Sequence, residues 1–302
     1  MKRIFTILLV LLAVIGAAFY WFILDGRLTQ KETYLIDINA VRQLANSLVG
    51  EKPTEIQVEK VAQFRFLETL SLAGSGFDVV PMGVYSFNVI TPNGNVVIDT
   101  GYDQVMAQSA RADFFPEPYA RMQAAINRAN LIMVTHEHYD HIGGLVQHPN
   151  VADILPNILL TKEQIAASAE IRPRFEPPLP DEFVPLEFEE ITAVSPGIVL
   201  IKAPGHTPGS IMVFVQLQNG QEYLFVGDIA WHDESIQQPT LRPRFISDIF
   251  LPEEDRDSLS AQLRFLNKLS QTEPYLIQVA GHDNAQIEAL FDQGLLVDGF
   301  GE

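Results

Sequence analysis

The stretch Thr135-His136-Glu137-His138-Tyr139-Asp140-His141 constrains this chain more than any other. It sets three imidazoles and two carboxylates together directly after an apolar run, Leu131-Ile132-Met133-Val134. The run reads as a buried strand and the cluster as the loop at its end. The protein of 302 residues has only 7 histidines, so a solvated turn would not concentrate three of them here. Neutral imidazole with carboxylate is the donor set of zinc and the neighbouring divalent ions.

Three further residues sit in the same kind of place, each beside glycine at the end of an apolar run. They are His206 in Lys202-Ala203-Pro204-Gly205-His206-Thr207-Pro208-Gly209-Ser210, Asp228 in Phe225-Val226-Gly227-Asp228, and His282 in Val279-Ala280-Gly281-His282-Asp283. Glycine allows the tight turn that aims such a side chain into a cleft shared by strand ends. The ordered set HxHxDH, then His, Asp and His, resembles the metallo-β-lactamase superfamily over roughly residues 80 to 290. Asp99, in Val96-Val97-Ile98-Asp99-Thr100-Gly101, matches that family's strand-end aspartate.

The resemblance implies a four-layer αββα sandwich of the mixed α/β class and two divalent metal ions, zinc first, with manganese, iron or cobalt as alternatives. It makes His136, His138 and His206 the ligands of one ion and Asp140, His141 and His282 those of the second. Asp228 would touch both, and Asp99 would orient a ligand loop. A hydroxide held between the ions would attack a substrate carbonyl, with Asp140 placed to relay a proton. The string around His206 looks most like lactonases that open N-acyl homoserine lactones. Those commonly carry tyrosine three residues after the bridging aspartate, where this chain has Trp231, an indole that donates through nitrogen only. A thioesterase like glyoxalase II, a β-lactamase or other amide hydrolase, and a phosphoester hydrolase are the alternatives. A single-iron oxygenase or a non-catalytic metal-holding scaffold would be a different class. His148 and His232 read as ordinary packing residues.

The amino terminus carries the second strong signal. From Ile4 to Leu24 the chain has no charge and only Thr6 as a clearly polar residue, with Lys2 and Arg3 before it and Asp25 after it. At about 1.5 Å per residue such a run crosses the roughly 30 Å of a bilayer core. Phe19-Tyr20-Trp21-Phe22 adds interfacial aromatics, and Gly16-Ala17-Ala18 is a poor cleavage site. Residues 1–25 are therefore expected to be an uncleaved single-pass anchor. Lys2 and Arg3 stay in the cytoplasm, which leaves the catalytic part outside it. A cleaved signal and a free periplasmic product is the alternative.

Composition narrows the partners. The formal net charge is −18 and there is no cysteine, so the surface repels phosphate backbones and the site has no thiolate ligand. A small-molecule substrate is expected, and no nucleic acid. Arg172-Pro173-Arg174-Phe175 and Leu241-Arg242-Pro243-Arg244-Phe245 repeat Arg-Pro-Arg-Phe in a cation-poor chain. Arg242 and Arg244, with Tyr139 and Trp231, are candidate substrate contacts, since a guanidinium fork binds an anionic group with two parallel hydrogen bonds. Ion pairing with the protein's own acids is the competing reading of the two arginines.

Residues 26–80 read as a lead-in, a spacer adding an edge to a main domain at 81–302. It holds a helix from Ile38 to Ala45 capped by Asp37 and a strand from Glu55 to Phe66. Pro92-Asn93-Gly94 and Asn219-Gly220 mark hairpins. Helices are expected over Glu117–Asn127, Lys162–Glu170 and Glu253–Leu269, the last with a stripe of Leu259, Leu263, Leu266 and Leu269.

Overall fold

The computed structural model describes residues 2–167, 175 and 178–301. Six strands come from the first half of the chain: β1 (Glu55–Leu67), β2 (Val79–Thr91), β3 (Gly94–Ile98), β4 (Asp113–Phe114), β5 (Leu131–Met133) and β6 (Ile158–Leu159). Five follow: β7 (Ile191–Ser195), β8 (Ile198–Lys202), β9 (Ile211–Gln216), β10 (Glu222–Gly227) and β11 (Leu276–Ala280). A last short strand, β12 (Val297–Asp298), returns to the first sheet. The sheets run β12-β1-β2-β3-β5-β6, with β4 beside β1, and β11-β10-β9-β8-β7.

Alternation along the strands sorts side chains into layers. Val96, Ile98 and Met133 of the first sheet meet Leu200, Val213, Phe225 and Val279 of the second in one core cluster, with the Phe87 and Phe225 rings 4.7 Å apart. Their neighbours Val97 and Ile132 point to the other face. There they pack against Met122, Ala125 and Ile126 of α3 (Pro116–Arg128) and Ile142, Leu145 and Val146 of α4 (Tyr139–Val146). Behind the second sheet, Val199, Ile201 and Leu224 are covered by α2 (Ile38–Ala45) and by Leu259, Leu263, Leu266 and Leu269 of α6 (Arg256–Thr272). Helix, sheet, sheet and helix thus form four layers. The remaining named helices are α1 (Lys2–Phe19), α5 (Lys162–Ala167) and α7 (Asn284–Asp292).

Both expected hairpins form, β2–β3 and β9–β10. The lead-in at residues 26–80 is built into the sandwich. β1 pairs with β2 from Glu55↔Ile90 to Leu67↔Val79 and, at Gln57 and Val58 alone, with the two-residue β12 at the sheet edge. α2, capped by the Asp37 carboxylate accepting from Asn39 N–H, buries Ile38, Val41 and Ala45 on the second sheet. The boundary expected at 80/81 falls inside β2. Helix α6 starts at Arg256 rather than Glu253, because Asp255 accepts from the N–H groups of Asp257 and Ser258 and so caps the first turn. The expected helix from Lys162 is described as far as Ala167, and its last residues lie outside the described ones. Arg172 and Arg174 lie outside them too, whereas Phe175 is buried in the core.

Candidate metal centre

The site forms where the two sheets open at one end, and both contribute. β5 ends in the loop holding His136 and His138, and α4 begins at Tyr139 and carries Asp140 and His141. β8, β10 and β11 end just before His206, Asp228 and His282. Gly281 is required by close approach, because a Cβ there would lie 2.5 Å from Asp228 Oδ1.

The seven residues fall into two groups. His136, His138, His206 and Asp228 bring one donor atom each within 4.8 Å of one another, and so do Asp140, His141, Asp228 and His282. Asp228 belongs to both. Its Oδ2 lies 3.3 Å from His206 Nε2 and 3.8 Å from His136 Nε2, while its Oδ1 lies 3.3 Å from His141 Nε2 and 3.2 Å from His282 Nε2. His138 Nδ1 is 3.1 Å from His136 Nε2 and 2.9 Å from His206 Nε2. Asp140 Oδ2 is 3.5 Å from His282 Nε2.

These atoms suit cations better than they suit each other. Asp228 Oδ1 lies within 3.3 Å of His141 Nε2 and His282 Nε2, and all three atoms are buried, yet none makes a hydrogen bond. Buried polar atoms left this way ask for an explanation, and a divalent ion in the group of Asp140, His141, Asp228 and His282 would supply it. The outward nitrogens are already committed. His141 Nδ1 donates to Asp99 Oδ2 at 2.9 Å, His282 Nδ1 to Gly83 O at 2.7 Å and His206 Nδ1 to Glu254 Oε2 at 3.2 Å. Each bond fixes the tautomer that turns Nε2 inward.

Electrostatics divide the imidazoles differently, with His206 beside His141 and His282. Burial, then the neighbouring imidazoles, push His136 well below the ordinary histidine range and His138 down to about 4, so both rings are neutral donors. At His141, His206 and His282 burial also pulls downward, but the carboxylates outweigh it, Asp99 and Asp228 at His141 and Asp228 at the other two. Burial works against the Asp228 carboxylate, yet His282 and His141 hold it well below its ordinary value.

Asp99 matters through position. It accepts from Thr135 N–H at 2.7 Å as well as from His141, and it adopts φ 57°, a left-handed conformation uncommon outside glycine. Such strain persists where surrounding bonds over-determine it. Asp99→Asn should lower metal affinity of the His141 group about 10–100-fold, read by titration against a chelator. Unchanged affinity would reduce Asp99 to a turn residue.

The other carboxylate of the cluster, Glu137, turns away from the ligands. It accepts from Thr207 Oγ1 at 2.9 Å and Gly209 N–H at 3.4 Å, tying the His136 loop to the His206 loop. The sequence reading missed Glu254. Its side chain is fully buried, and although burial alone would raise it, Arg242 and His206 hold its carboxyl at about 2. Arg242 donates through Nε to Glu254 at 2.7 Å and through Nη2 to Asp228 O at 2.5 Å, and it stacks over Trp231 at 4.4 Å. Its Nη2 also lies 3.2 Å from His206 Nδ1, but that nitrogen carries the proton given to Glu254 and cannot accept a second.

Arg242 is therefore corrected from a substrate fork to a buried tie. Arg244 stacks on Trp21 at 4.1 Å instead of facing the ligands, and neither arginine lines the cleft. Tyr139 and Trp231 do line it, with Tyr102, Met106 and Phe250, around a cavity of ≈ 600 Å³ that reaches His138, Asp140, His206 and Asp228. The Trp231 N–H is spent on Asp228 Oδ2 at 2.7 Å, which leaves its ring as wall. Burial, with Asp140 and Asp228 nearby, raises the Tyr102 phenol, so it stays a proton donor. His148 is buried and accepts from Asn150 N–H, and His232 meets Ser71 Oγ at 2.9 Å, both apart from the two groups.

The model of the metallo-beta-lactamase superfamily matches residues 79–282, from β2 through the last histidine of the site. The chain belongs to this superfamily. Membership makes it a metal-dependent hydrolase, and both groups that could hold a metal ion are present. Among solved structures it is similar to a quorum-quenching N-acyl homoserine lactone lactonase at 16% identity and TM-score 0.63, over 80% of this chain and 97% of that one. A second is an N-acyl homoserine lactone hydrolase with N-hexanoyl-L-homoserine bound at its catalytic metal centre, at 16% identity and TM-score 0.61, covering 79% and 96%. A third is a probable metal-dependent hydrolase from Staphylococcus aureus, at 13% and 0.58, covering 78% and 91%. Likeness at this identity speaks to the shared metallo-β-lactamase fold alone. No curated protein matches.

For this superfamily site, bound divalent ions would supply acidified water and a Lewis acid for a carbonyl or phosphoryl oxygen. The chain's own residues do the rest. Asp228 and the imidazoles set the donor geometry, and Asp140, Tyr102 and Tyr139 line the cleft beside them.

Proposed function

We propose that this dinuclear metallohydrolase is held at a membrane by its amino-terminal helix, works outside the cytoplasm, and cleaves lactone or ester carbonyls of small molecules. His136, His138 and His206 would hold one zinc ion, Asp140, His141 and His282 the other, and Asp228 both. The observation that carries this reading is the orientation of Asp228, one carboxylate oxygen turned to each histidine group. Likeness in fold to lactone hydrolases supports the substrate class, as does a cleft walled by Met106, Trp231 and Phe250. Residues 26–302 would be one catalytic unit after an anchor at 1–25, since α2 and β1 are built into the sandwich.

The test is a turnover screen of the full chain in detergent, loaded with zinc, against lactones, thioesters, β-lactams and phosphodiesters. Lactone or ester hydrolysis abolished by chelation and restored by zinc is the expected result. Turnover confined to β-lactams or phosphodiesters would replace the substrate class, and none at all in the loaded chain would remove the reading.

The anchor rests on the 23-residue helical span Lys2–Leu24, apolar after the positive charges Lys2 and Arg3 at its start. A reporter fused after Glu302 is expected to be active only in an exported compartment. Cytoplasmic reporter activity, or a mature chain beginning near Phe19, would overturn the topology.

A further inference from the structure

The joint between the apolar helix and the catalytic unit lies close to the lip of the cleft. α1 is exposed along its described length and widens into a π-helical turn at Tyr20–Leu24. Immediately afterwards the chain is pinned. Leu241 N–H donates to Gly26 O at 2.9 Å and Ala73 N–H to Leu241 O at 3.2 Å. A Cβ on Gly26 would come within 2.6 Å of Thr240 and 2.7 Å of Leu241 O, so these backbones touch with no room between them. Arg244 closes the joint by stacking on Trp21 at 4.1 Å. This is a docked connection, not a free linker.

The segment that grips the helix goes on to build the cleft. After Arg244, the Phe245 ring packs on Phe250 at 5.3 Å, and Phe250 and Leu251 line the cavity over the ligands. The turn between them leaves Ile249 58% and Phe250 62% exposed. A second loop at the same joint, where Gly74 sits against Leu24 O, leads to Phe77 at 61% and Val79 at 60% exposure. Large apolar side chains clustered on a soluble surface mark an interaction site. Here both stretches lead off the joint at which a membrane-length helix leaves the domain.

We propose that Ile249 and Phe250, together with Phe77 and Val79 on the second loop from the joint, rest in the interfacial layer of the bilayer that α1 crosses, so that the cleft opens at the lipid headgroups. The partner is the membrane surface, chosen because the apolar patch continues from the apolar helix through a rigid joint. Trp21 and Arg244 at that joint are an aromatic and a cation of the kind found at membrane interfaces. Dipping four apolar side chains into the interface adds to the helix's attachment and fixes the height of the cleft above the hydrocarbon core. The inference rests on the anchor reading above.

The chain has no cysteine, so single cysteines introduced into the full chain carry spin labels cleanly. Labels at Leu12, Ile249 and Asn219 would be compared in phosphatidylcholine–phosphatidylglycerol vesicles, using collisions with oxygen, which concentrates in bilayers, and with a nickel chelate, which stays in water. Labels at Leu12 and Ile249 should gain oxygen collisions and lose nickel collisions relative to Asn219, which lies in the exposed β9–β10 turn. A water-exposed label at Ile249 with Leu12 in the bilayer would overturn the lip contact and leave the anchor standing. A label at Leu12 in water would overturn both. Shielding of Ile249 from both reagents, with dipolar broadening that grows with protein-to-lipid ratio, would assign the patch to a second copy of the chain and reject the membrane contact.

Discussion

Replacing Asp228 with alanine is expected to leave fewer than two metal ions per chain and to cut kcat by at least about a hundredfold. The expectation comes from the division of its two oxygens. Oδ2 faces His136 and His206, Oδ1 faces His141 and His282, and Trp231 N–H clamps the carboxylate in that orientation. Alanine removes a donor from both groups at once and leaves His141 and His282 crowded together without the charge between them. His282→Ala, by contrast, should empty chiefly the group it shares with Asp140 and His141. His148→Ala should leave metal content unchanged, because that ring only accepts from Asn150 N–H. Elemental analysis and turnover of the three variants decide the matter. Two ions per chain with full turnover in the Asp228 variant, or full turnover of the wild type after exhaustive chelation, would remove the shared-ligand reading and leave the fold.

Arg242→Ala should be the costliest substitution outside the ligands. The Arg242 side chain is 4% exposed and the Glu254 side chain 0%. Deleting the guanidinium strands a buried carboxylate, frees the carbonyl of Asp228 and removes the stack on Trp231. Breaking a buried pair from one side costs about 3–5 kcal/mol, and a domain of this size should then melt about 10 °C lower. Lysine should rescue little, since a single ammonium cannot reach both Glu254 and the Asp228 carbonyl in the planar geometry of the fork. Glu254 would then take up a proton from solvent and loosen its hold on the His206 Nδ1–H, so metal affinity should fall together with stability. Arg244→Ala keeps these bonds and should stay within about 1 kcal/mol of the parent. Thermal unfolding with and without metal distinguishes the outcomes, and a loss below about 1 kcal/mol for Arg242→Ala would show that the tie is dispensable.

What could be read in advance was whatever short stretches of sequence carry by themselves. Asn93-Gly94 and Asn219-Gly220 specify hairpins through turn chemistry, and Asp37 names its helix start through a local cap. His206, Asp228 and His282 could be singled out because each stands beside glycine after an apolar run, and the other four because three imidazoles share one short stretch; the structure brings all seven together. What could not be read depends on partners far apart in sequence. Glu254 looks like one acid among many before a helix, and only the turn bringing Asp255 N–H to Gly205 O sets it against His206. Whether Arg242 was a substrate fork or an internal ion pair could not be read because burial leaves no mark on an Arg-Pro-Arg stretch. How far residues 26–80 enter the sandwich could not be read because β1 finds its partner β2 across an intervening loop and β12 at the far end of the chain.

The ligand loops come from both sheets, and this has a bearing on when the site can exist. The His136–His141 loop hangs from the first sheet, and His206, Asp228 and His282 hang from the second. Neither half can chelate tightly by itself, so the donors assemble only once the inter-sheet core around Phe87 and Phe225 has closed. Loading is then a late checkpoint in maturation, not a nucleus for it. A chain stripped of its ions keeps its layers but loses the rivets across their open end. Protease nicking of the Thr135–Tyr139 and Gly205–Ser210 loops should therefore quicken on chelation well before the secondary structure melts, giving a sensitive report of how firmly the two sheets are held.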